Sequence, residues 1–372
     1  MKLIVNLKLT PTKEQAEFLR GTLERANEAC NWISEQAWEY GTFKQFSLHK
    51  LAYHPAKERF ELSAQVIVRL IAKVADAYKL DNKRPRKFRR HGSIAYDDRI
   101  LTFKKTDAVS IWTLEGRQTI PFVCGDYQRK LLPFRKGEVD LVFRKGNYYL
   151  NAVCDIDEPL LDETSDVLGV DFGVVNLATT SDGEVFTGAE IEETRQRYHT
   201  RRQTLQQAAE KAKQRGKRPK QIRRALKRTK GKESNFRRHT NHVISKQLVR
   251  SAKDTKRGIA LEELSGIRSR VRFRKAQRAR MSGWSFHQLR QFLEYKSRLN
   301  GVRLIAVDPR NTSRTCHECG HCEKANRRTQ DCFLCVRCGY QANADVNAAL
   351  NIRARASVNA LKVSEHAASV AA

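Results

Sequence analysis

Four cysteines and one aspartate near the C-terminus carry the clearest chemistry in this chain. Cys316-x2-Cys319 and Cys335-x2-Cys338 stand 15 residues apart, and Asp345 follows the last cysteine by seven. Zn²⁺ takes four soft ligands in a tetrahedron, and each Cys-x-x-Cys turn supplies two of them. The interval between the pairs lies in the range of four-cysteine zinc ribbons. Cys322 and Cys332 compete for the same places. Gly320 and Gly339, directly after Cys319 and Cys338, suit tight knuckles that need a permissive backbone. The inner cysteines lack such a glycine, so the expected ligands are Cys316, Cys319, Cys335 and Cys338. His317 and His321 stand as alternate ligands or, more simply, as loop residues. A disulfide framework is not expected, because the sequence shows no signal-type apolar segment and no other cysteine cluster.

Two further acids follow buried-type apolar runs. Residues 167–170, VLGV, lead into Asp171, and residues 258–261, GIAL, lead into Glu262 and Glu263. An acid at the end of such a strand projects from the sheet edge where active sites of α/β folds collect. Asp345 would join Asp171 and Glu262 from a short helix of small residues. Three carboxylates in one place repel unless cations intervene. Two Mg²⁺ ions about 4 Å apart would satisfy them and clamp the attacking and leaving oxygens of a phosphodiester. Spacing does not separate Glu262 from Glu263, although alternation sets them on opposite faces. The plain alternative for each acid is a turn or cap residue, and Asp345 would equally suit a helix N-terminus.

Charge supports the phosphodiester reading. The 372 residues carry a formal charge of +30, far beyond what solubility needs, which implies a polyanionic partner. Residues 195–238 hold 18 Lys and Arg against Glu210 and Glu233 alone, and residues 268–280 read RSRVRFRKAQRAR. Each block taken alone could be a solvated face. Flanking the acid-ending strands, they suit a channel that grips phosphates, and charge by itself does not distinguish DNA from RNA. No apolar run approaches a membrane span, so an intracellular, cytoplasmic location is expected.

The elements that position these residues fall into two groups. Residues 3–9 alternate as a half-buried strand, and Pro11 opens a helix in its first turn. A second helix covers 62–78, with Val66, Ile67, Leu70, Ile71 and Val74 as its core stripe. Residues 83–90 read as a basic linker, after which strands at 100–104, 108–113, 120–123, 139–144 and 148–155 follow. The simplest architecture is an N-terminal β-barrel (1–10 and 93–160) with a helical domain (11–92) inserted after its first strand. Beyond residue 160 an α/β domain begins, with strands at 167–171, 176–180, 184–186, 258–261 and 302–307. A long basic helical region over 189–250, a helix at 286–299 and a short helix at 344–352 complete it. The alanine- and serine-rich tail, 357–372, is expected to be flexible.

The order of these motifs resembles the transposon-encoded TnpB (OrfB) family, compact relatives of type V CRISPR effectors. The resemblance is strongest over 167–352 and rests on GVDFGVVNLATTSDG, IALEELSGIR, the CHECG and CVRCGY knuckles, and ANADVNAALNI. LTPTKEQAEFL near the start is similar too, whereas 44–161 gives little to match. The resemblance implies an RNA-guided DNA endonuclease with an RNase H-like RuvC nuclease domain (161–312 and 342–356) and an inserted zinc ribbon (313–341). It assigns Asp171, Glu262 and Asp345 as the magnesium-binding catalytic acids, choosing Glu262 over its neighbour, and the outer four cysteines as zinc ligands. It implies a guide RNA derived from the transposon end and a double-stranded DNA target bearing a short adjacent motif. A protein-only RuvC-like nuclease or recombinase, and a guided repressor that binds without cutting, are the rival readings.

Overall fold

Alternation at the start of the chain produces a strand buried on one side. The computed structural model describes residues 1–162, 164, 166–263 and 286–370, with side chains of the last helix as far as 357. The basic block at 268–280 lies outside these residues. The chain divides into two compact units, Met1–Asp157 and Glu158–Ala372.

In the first unit, β1 (Lys2–Leu9) buries Val5, Leu7 and Leu9. It leads into α1 (Lys13–Glu39), whose N-cap is Thr12. The Thr12 hydroxyl accepts from the Gln15 amide at 3.2 Å, and the Gln15 side chain accepts from the Thr12 amide at 3.1 Å. This closed capping box satisfies two amides that the first turn leaves unpaired. Pro11, expected inside the first turn, therefore stands before the cap. Next come α2 (Gln45–Phe60) and α3 (Ala64–Leu80). The strands are β2 (Ile94–Tyr96), β3 (Leu101–Lys104), β4 (Ala108–Thr113) and β5 (Gly116–Val123). After the short α4 (Asp126–Leu131) come β6 (Arg135–Arg144) and β7 (Asn147–Asp155). They form a nearly closed sheet in the order β2-β6-β7-β1-β5-β4-β3, each neighbour antiparallel. The helices thus enter between the sheet's first and second strands.

The second unit contains β8 (Val167–Asp171), β9 (Asn176–Thr180) and β10 (Val185–Thr187), then α5 (Ala189–Gln214), α6 (Lys220–Thr229) and α7 (Lys232–Asp254). It continues with β11 (Gly258–Glu262), α8 (Phe286–Asn300), β12 (Leu304–Val307), β13 (Cys332–Leu334), β14 (Gln341–Asn343) and α9 (Ala344–Val370). The main sheet runs β10-β9-β8-β11-β12, with β8, β11 and β12 parallel and β9 and β10 antiparallel. Both faces of β8 and β11 are covered, which is why these two strands read as continuous apolar runs. Leu168, Val170, Ile259 and Leu261 pack with residues of α7 and α8, while Val167, Ala260 and Val307 pack with Ile352 and Ala356 of α9.

One expectation for this unit changes. The basic stretch read as one helical region is three helices, because Gly216 and Gly231 adopt φ of +68° and +81° between them. Helix α9 runs on to Val370 through an alanine-rich end, alanine being the best helix former.

Candidate active site and metal centre

Register brings the first two acids together. β8 and β11 pair in parallel with Leu261 beside Val170, so the next residues, Glu262 and Asp171, are neighbours on the same face. That face carries α9, which places Asp345 in its first turn. Asn343 caps this helix, its side-chain oxygen accepting from the Asp345 amide at 3.0 Å and the Val346 amide at 3.3 Å.

Gly169 sets how closely the helix lies. A Cβ there would collide with the Ala349 carbonyl and stand 2.8 Å from the Arg353 amide nitrogen. The backbones of β8 and α9 therefore touch at this point. From there, two strand residues lead to Asp171 and one helical turn leads back to Asp345. Both steps advance about 6 Å, which brings the two carboxyls to the same level. Arg353 fixes the other end by pairing with both oxygens of Asp166, at 3.1 and 2.9 Å. Gly169→Ala is expected to lift α9 from the sheet and lower the melting temperature. Wild-type stability in that variant would show that the contact is dispensable.

Each carboxyl has its own support. The Asn176 amide donates to Asp345 Oδ2 at 2.9 Å, and Arg327 donates to Oδ1 at 3.3 Å. The Thr312 hydroxyl donates to Glu262 Oε1. Glu263 turns away and is gripped by both terminal nitrogens of Arg290, at 2.6 Å each. The structure thus separates the two adjacent glutamates that spacing alone does not.

Burial perturbs Asp171 and Glu262, and for Asp171 the neighbouring acids add to it. The Asp171 carboxyl is pushed up to about 8, chiefly by burial and then by the charges of Glu262 and Asp345, with Arg327 acting in the opposite direction. Burial raises Glu262 too, against the lowering effect of the Thr312 hydrogen bond. Because the folded value of Asp171 lies above its ordinary value of 3.8, folding favours its protonated form. Its contribution to metal-free stability is full below about pH 4 and disappears as pH rises through about 8. Asp171→Asn should therefore raise the metal-free melting temperature by several degrees at pH 8 and very little at pH 4. An equal shift at both values would contradict a strained acid cluster.

The cysteine cluster is built from two matched knuckles. The Gly320 amide donates to the Cys316 carbonyl and the Gly339 amide to the Cys335 carbonyl, each at 3.0 Å. Both glycines are left-handed, at φ of +71° and +75°. The sulfurs of Cys316 and Cys338 are 3.7 Å apart, and those of Cys319 and Cys335 3.6 Å. All four lie within 4.8 Å of one another. A tetrahedral ion with sulfur at about 2.3 Å needs about 3.8 Å between sulfurs, so the donor set fits zinc. Cys322 and Cys332 stay outside the cluster.

A clasp joins the two sites. Asn351 donates to the carbonyls of Thr312 at 2.9 Å and Thr315 at 2.7 Å, and Asn347 donates to the Thr315 carbonyl at 2.9 Å. The His317 amide returns a bond to Asn347 Oδ1 at 3.1 Å. The segment entering the first knuckle thus touches Glu262 through Thr312 and is tied to the helix of Asp345. Sequence reading missed Asn176, Thr312, Arg327, Asn347 and Asn351. The asparagines at i and i+4 on an otherwise small-residue helix were the available signal.

Two family models match the chain: “Probable transposase” over residues 152–265, from the end of the first unit into the second, and “Cas12f1-like, TNB domain” over residues 286–352. The chain is 34% identical over 220 residues to the CRISPR-associated endodeoxyribonuclease Cas12f1 of Sulfoacidibacillus thermotolerans, covering 56% of this chain and 50% of that protein. It is 31% identical over 220 residues to InsQ of Escherichia coli K12, covering 56% and 54%. A TnpB-like protein of Methanocaldococcus jannaschii is 35% identical over 112 residues, 30% of this chain and 40% of that one. The chain thus spans about half the length of the first two relatives. Among solved structures, the mini-RNA-guided endonuclease CRISPR-Cas phi3 shares the fold, with a TM-score of 0.54 at 11% identity over 96% of this chain and 92% of that one.

Proposed function

We infer the activity of this chain from its kinship with the TnpB (OrfB) and Cas12f proteins, which bears out the resemblance carried by its motifs. It is an RNA-guided DNA endonuclease of a transposable element, cutting target DNA beside a short motif. The observation that carries this reading is the meeting of Asp171, Glu262 and Asp345 on one sheet face, where burial and the charges of the other two raise Asp171. A cluster of that kind asks for cations, and the +30 chain around it asks for a polyanion.

In this reading the second unit is an RNase H-like RuvC nuclease domain with an inserted zinc ribbon. Asp171, Glu262 and Asp345 would hold Mg²⁺, which when bound supplies Lewis acidity and an activated water for in-line phosphodiester hydrolysis. Thr312 orients Glu262, and Asn176 orients Asp345. Arg327 brings a guanidinium from the ribbon to the acids, where it also offers donors to a phosphate oxygen. Cys316, Cys319, Cys335 and Cys338 would hold one structural Zn²⁺. The cationic helices α5 to α7 grip nucleic-acid backbone, and the first unit holds the RNA scaffold and reads the short DNA motif. No helix among the described residues is long and apolar enough to cross a membrane, which is compatible with work at intracellular DNA.

Purification tests the RNA requirement. The protein should copurify with one discrete structured RNA, and stripping that RNA should remove DNA cleavage until the same RNA is restored. Full cleavage by the stripped protein would favour the protein-only nuclease. Programmed binding without cleavage in Mg²⁺ would favour the repressor.

A further inference from the structure

The first unit carries an aromatic and cationic surface that the cleavage chemistry does not use. At the end of α1, Trp38 and Tyr40 are 41% and 61% exposed, and Phe46 at the start of α2 is 74% exposed. The Lys50 ammonium lies 4.7 Å over the Phe46 ring. Large apolar side chains left this open around one corner mark an interaction surface. A groove of about 820 Å³ runs there between residues 41–47 and 78–83, with Phe43 packed 4.6 Å from Tyr78 in its wall. Its volume is that of clefts which take drug-sized ligands.

From this groove the chain continues into KRPRKFRR, residues 83–90, which composition reads as a linker. Its backbone is instead fastened to α1. The Ser34 hydroxyl donates to the Arg86 carbonyl at 2.7 Å. Asn31 donates to the Phe88 carbonyl at 3.1 Å and accepts from the Phe88 amide at 2.7 Å. Asn27 donates to the Gly92 carbonyl at 2.9 Å. These three side chains sit at helical spacing along one line of α1, a costly use of buried polar groups unless the segment must be held. Arg86 and Phe88 turn inward while Lys87 and Arg89 stand exposed between and beyond them. The nearby acids are already matched, Asp81 by Arg84 and Arg86 and Glu24 by Arg90 and His91. Lys83, Lys87 and Arg89 enter no ion pair among the described residues.

We propose that this corner binds single-stranded RNA, one unpaired base stacking on the exposed rings of Tyr40 and Phe46 beside the groove while the adjoining phosphates lie along Lys83, Lys87 and Arg89. Aromatic faces take bases of any sequence, and cations on a fixed backbone lose little freedom when phosphate arrives. Exposed Gln45, Ser47 and Asn82 line the same groove and offer partners to a ribose 2′-hydroxyl, the group that distinguishes RNA from DNA. The choice of RNA rests on the guided-nuclease reading; the site itself requires neither guidance nor cleavage.

The test uses the full chain, stripped of copurified nucleic acid, with a 4-thiouridine-substituted oligouridylate, ultraviolet crosslinking and peptide mapping. Adducts are expected within residues 38–47. Tyr40→Ala with Phe46→Ala, both exposed and compatible with folding, should remove those adducts and weaken binding at least about fivefold, since a stacked base contributes about 1–3 kcal/mol. Lys87→Ala with Arg89→Ala should make the log–log salt dependence shallower by about 1.4, two phosphates at about 0.7 each on a single strand. Adducts confined to residues 195–238 with unchanged affinity and slope would overturn the proposal. Equal labelling of 38–47 by a thiothymidine DNA strand would overturn the assignment to RNA. Retention of the adducts by a wild-type protein that never cleaves DNA would sink the guided-nuclease reading and leave this site standing.

Discussion

Replacing Asp171 with alanine, Glu262 with glutamine or Asp345 with alanine, one at a time, is expected to abolish DNA cleavage while RNA and target binding stay near wild type. Each change removes a carboxylate proposed to hold Mg²⁺ and leaves the cationic helices untouched. Metal stabilisation of the reacting oxygens is worth several kcal/mol, so the loss should reach about a thousandfold or more. The variants should also fold, because Glu262→Gln and Asp345→Ala each remove a charge that raises Asp171, and Asp171→Ala removes the buried acid raised by them. Glu263→Gln is the control. It weakens the pairing with Arg290, 27 residues away on α8, and should retain substantial cleavage. Full cutting by any of the three acid variants would remove that residue from the site, and loss of cutting in the control alone would exchange the two glutamates.

The second large effect is expected at the cysteines. Cys316→Ser or Cys338→Ser should lose the bound zinc and with it the fold of residues 313–341. Closed four-thiolate sites contribute folding energy outright, about 10–16 kcal/mol in zinc-finger peptides. The consequence should reach the acids. The first knuckle is entered by the segment whose Thr312 bonds Glu262, and Asn347 and Asn351 tie that segment to the helix of Asp345. Arg327, which reaches Asp345, lies between the knuckles. Cleavage should therefore fall along with zinc content. Cys322→Ser and Cys332→Ser should be mild in both respects. Elemental analysis beside cleavage rates decides this, and equal zinc loss from the inner pair would reverse the ligand assignment.

What the sequence disclosed follows from how local each feature is. A Cys-x-x-Cys-Gly knuckle is closed by its own residues, so types and spacing suffice to read it. Asp171 and Glu262 were visible because a doubly covered parallel strand is an unbroken apolar run, and its end is marked by the first acid. Asp345 was reached through its neighbouring motif. The groups that hold these acids were not visible. Asn176 meets Asp345 across 169 residues and Thr312 meets Glu262 across 50, and nothing in local composition announces such pairs. Gly169 looked like any strand glycine until the helix lying on it was seen. Helix α2 escaped because Pro55 lies inside it, where proline ordinarily argues against a helix, and its apolar face is narrow, Leu48, Ala52, Ala56 and Phe60. The segment 83–90 misled in the other direction, since its charge suggests a linker and its fastening comes from α1, some 50 residues earlier.

Guidance is the central claim, and it depends least on local chemistry. A chain at +30 binds phosphate tightly, yet backbone contacts cannot select one site in a genome. In the proposed function, specificity comes instead from base pairing with a carried RNA. The direct measurement is cleavage of two plasmids, each bearing one target beside the same short motif, by one protein preparation loaded with either of two guides. The account predicts double-strand cleavage of the matching plasmid only, with mismatches next to the motif reducing cutting more than distal ones, because pairing nucleates there. Cleavage that follows the protein regardless of guide, or that proceeds without RNA, would contradict it.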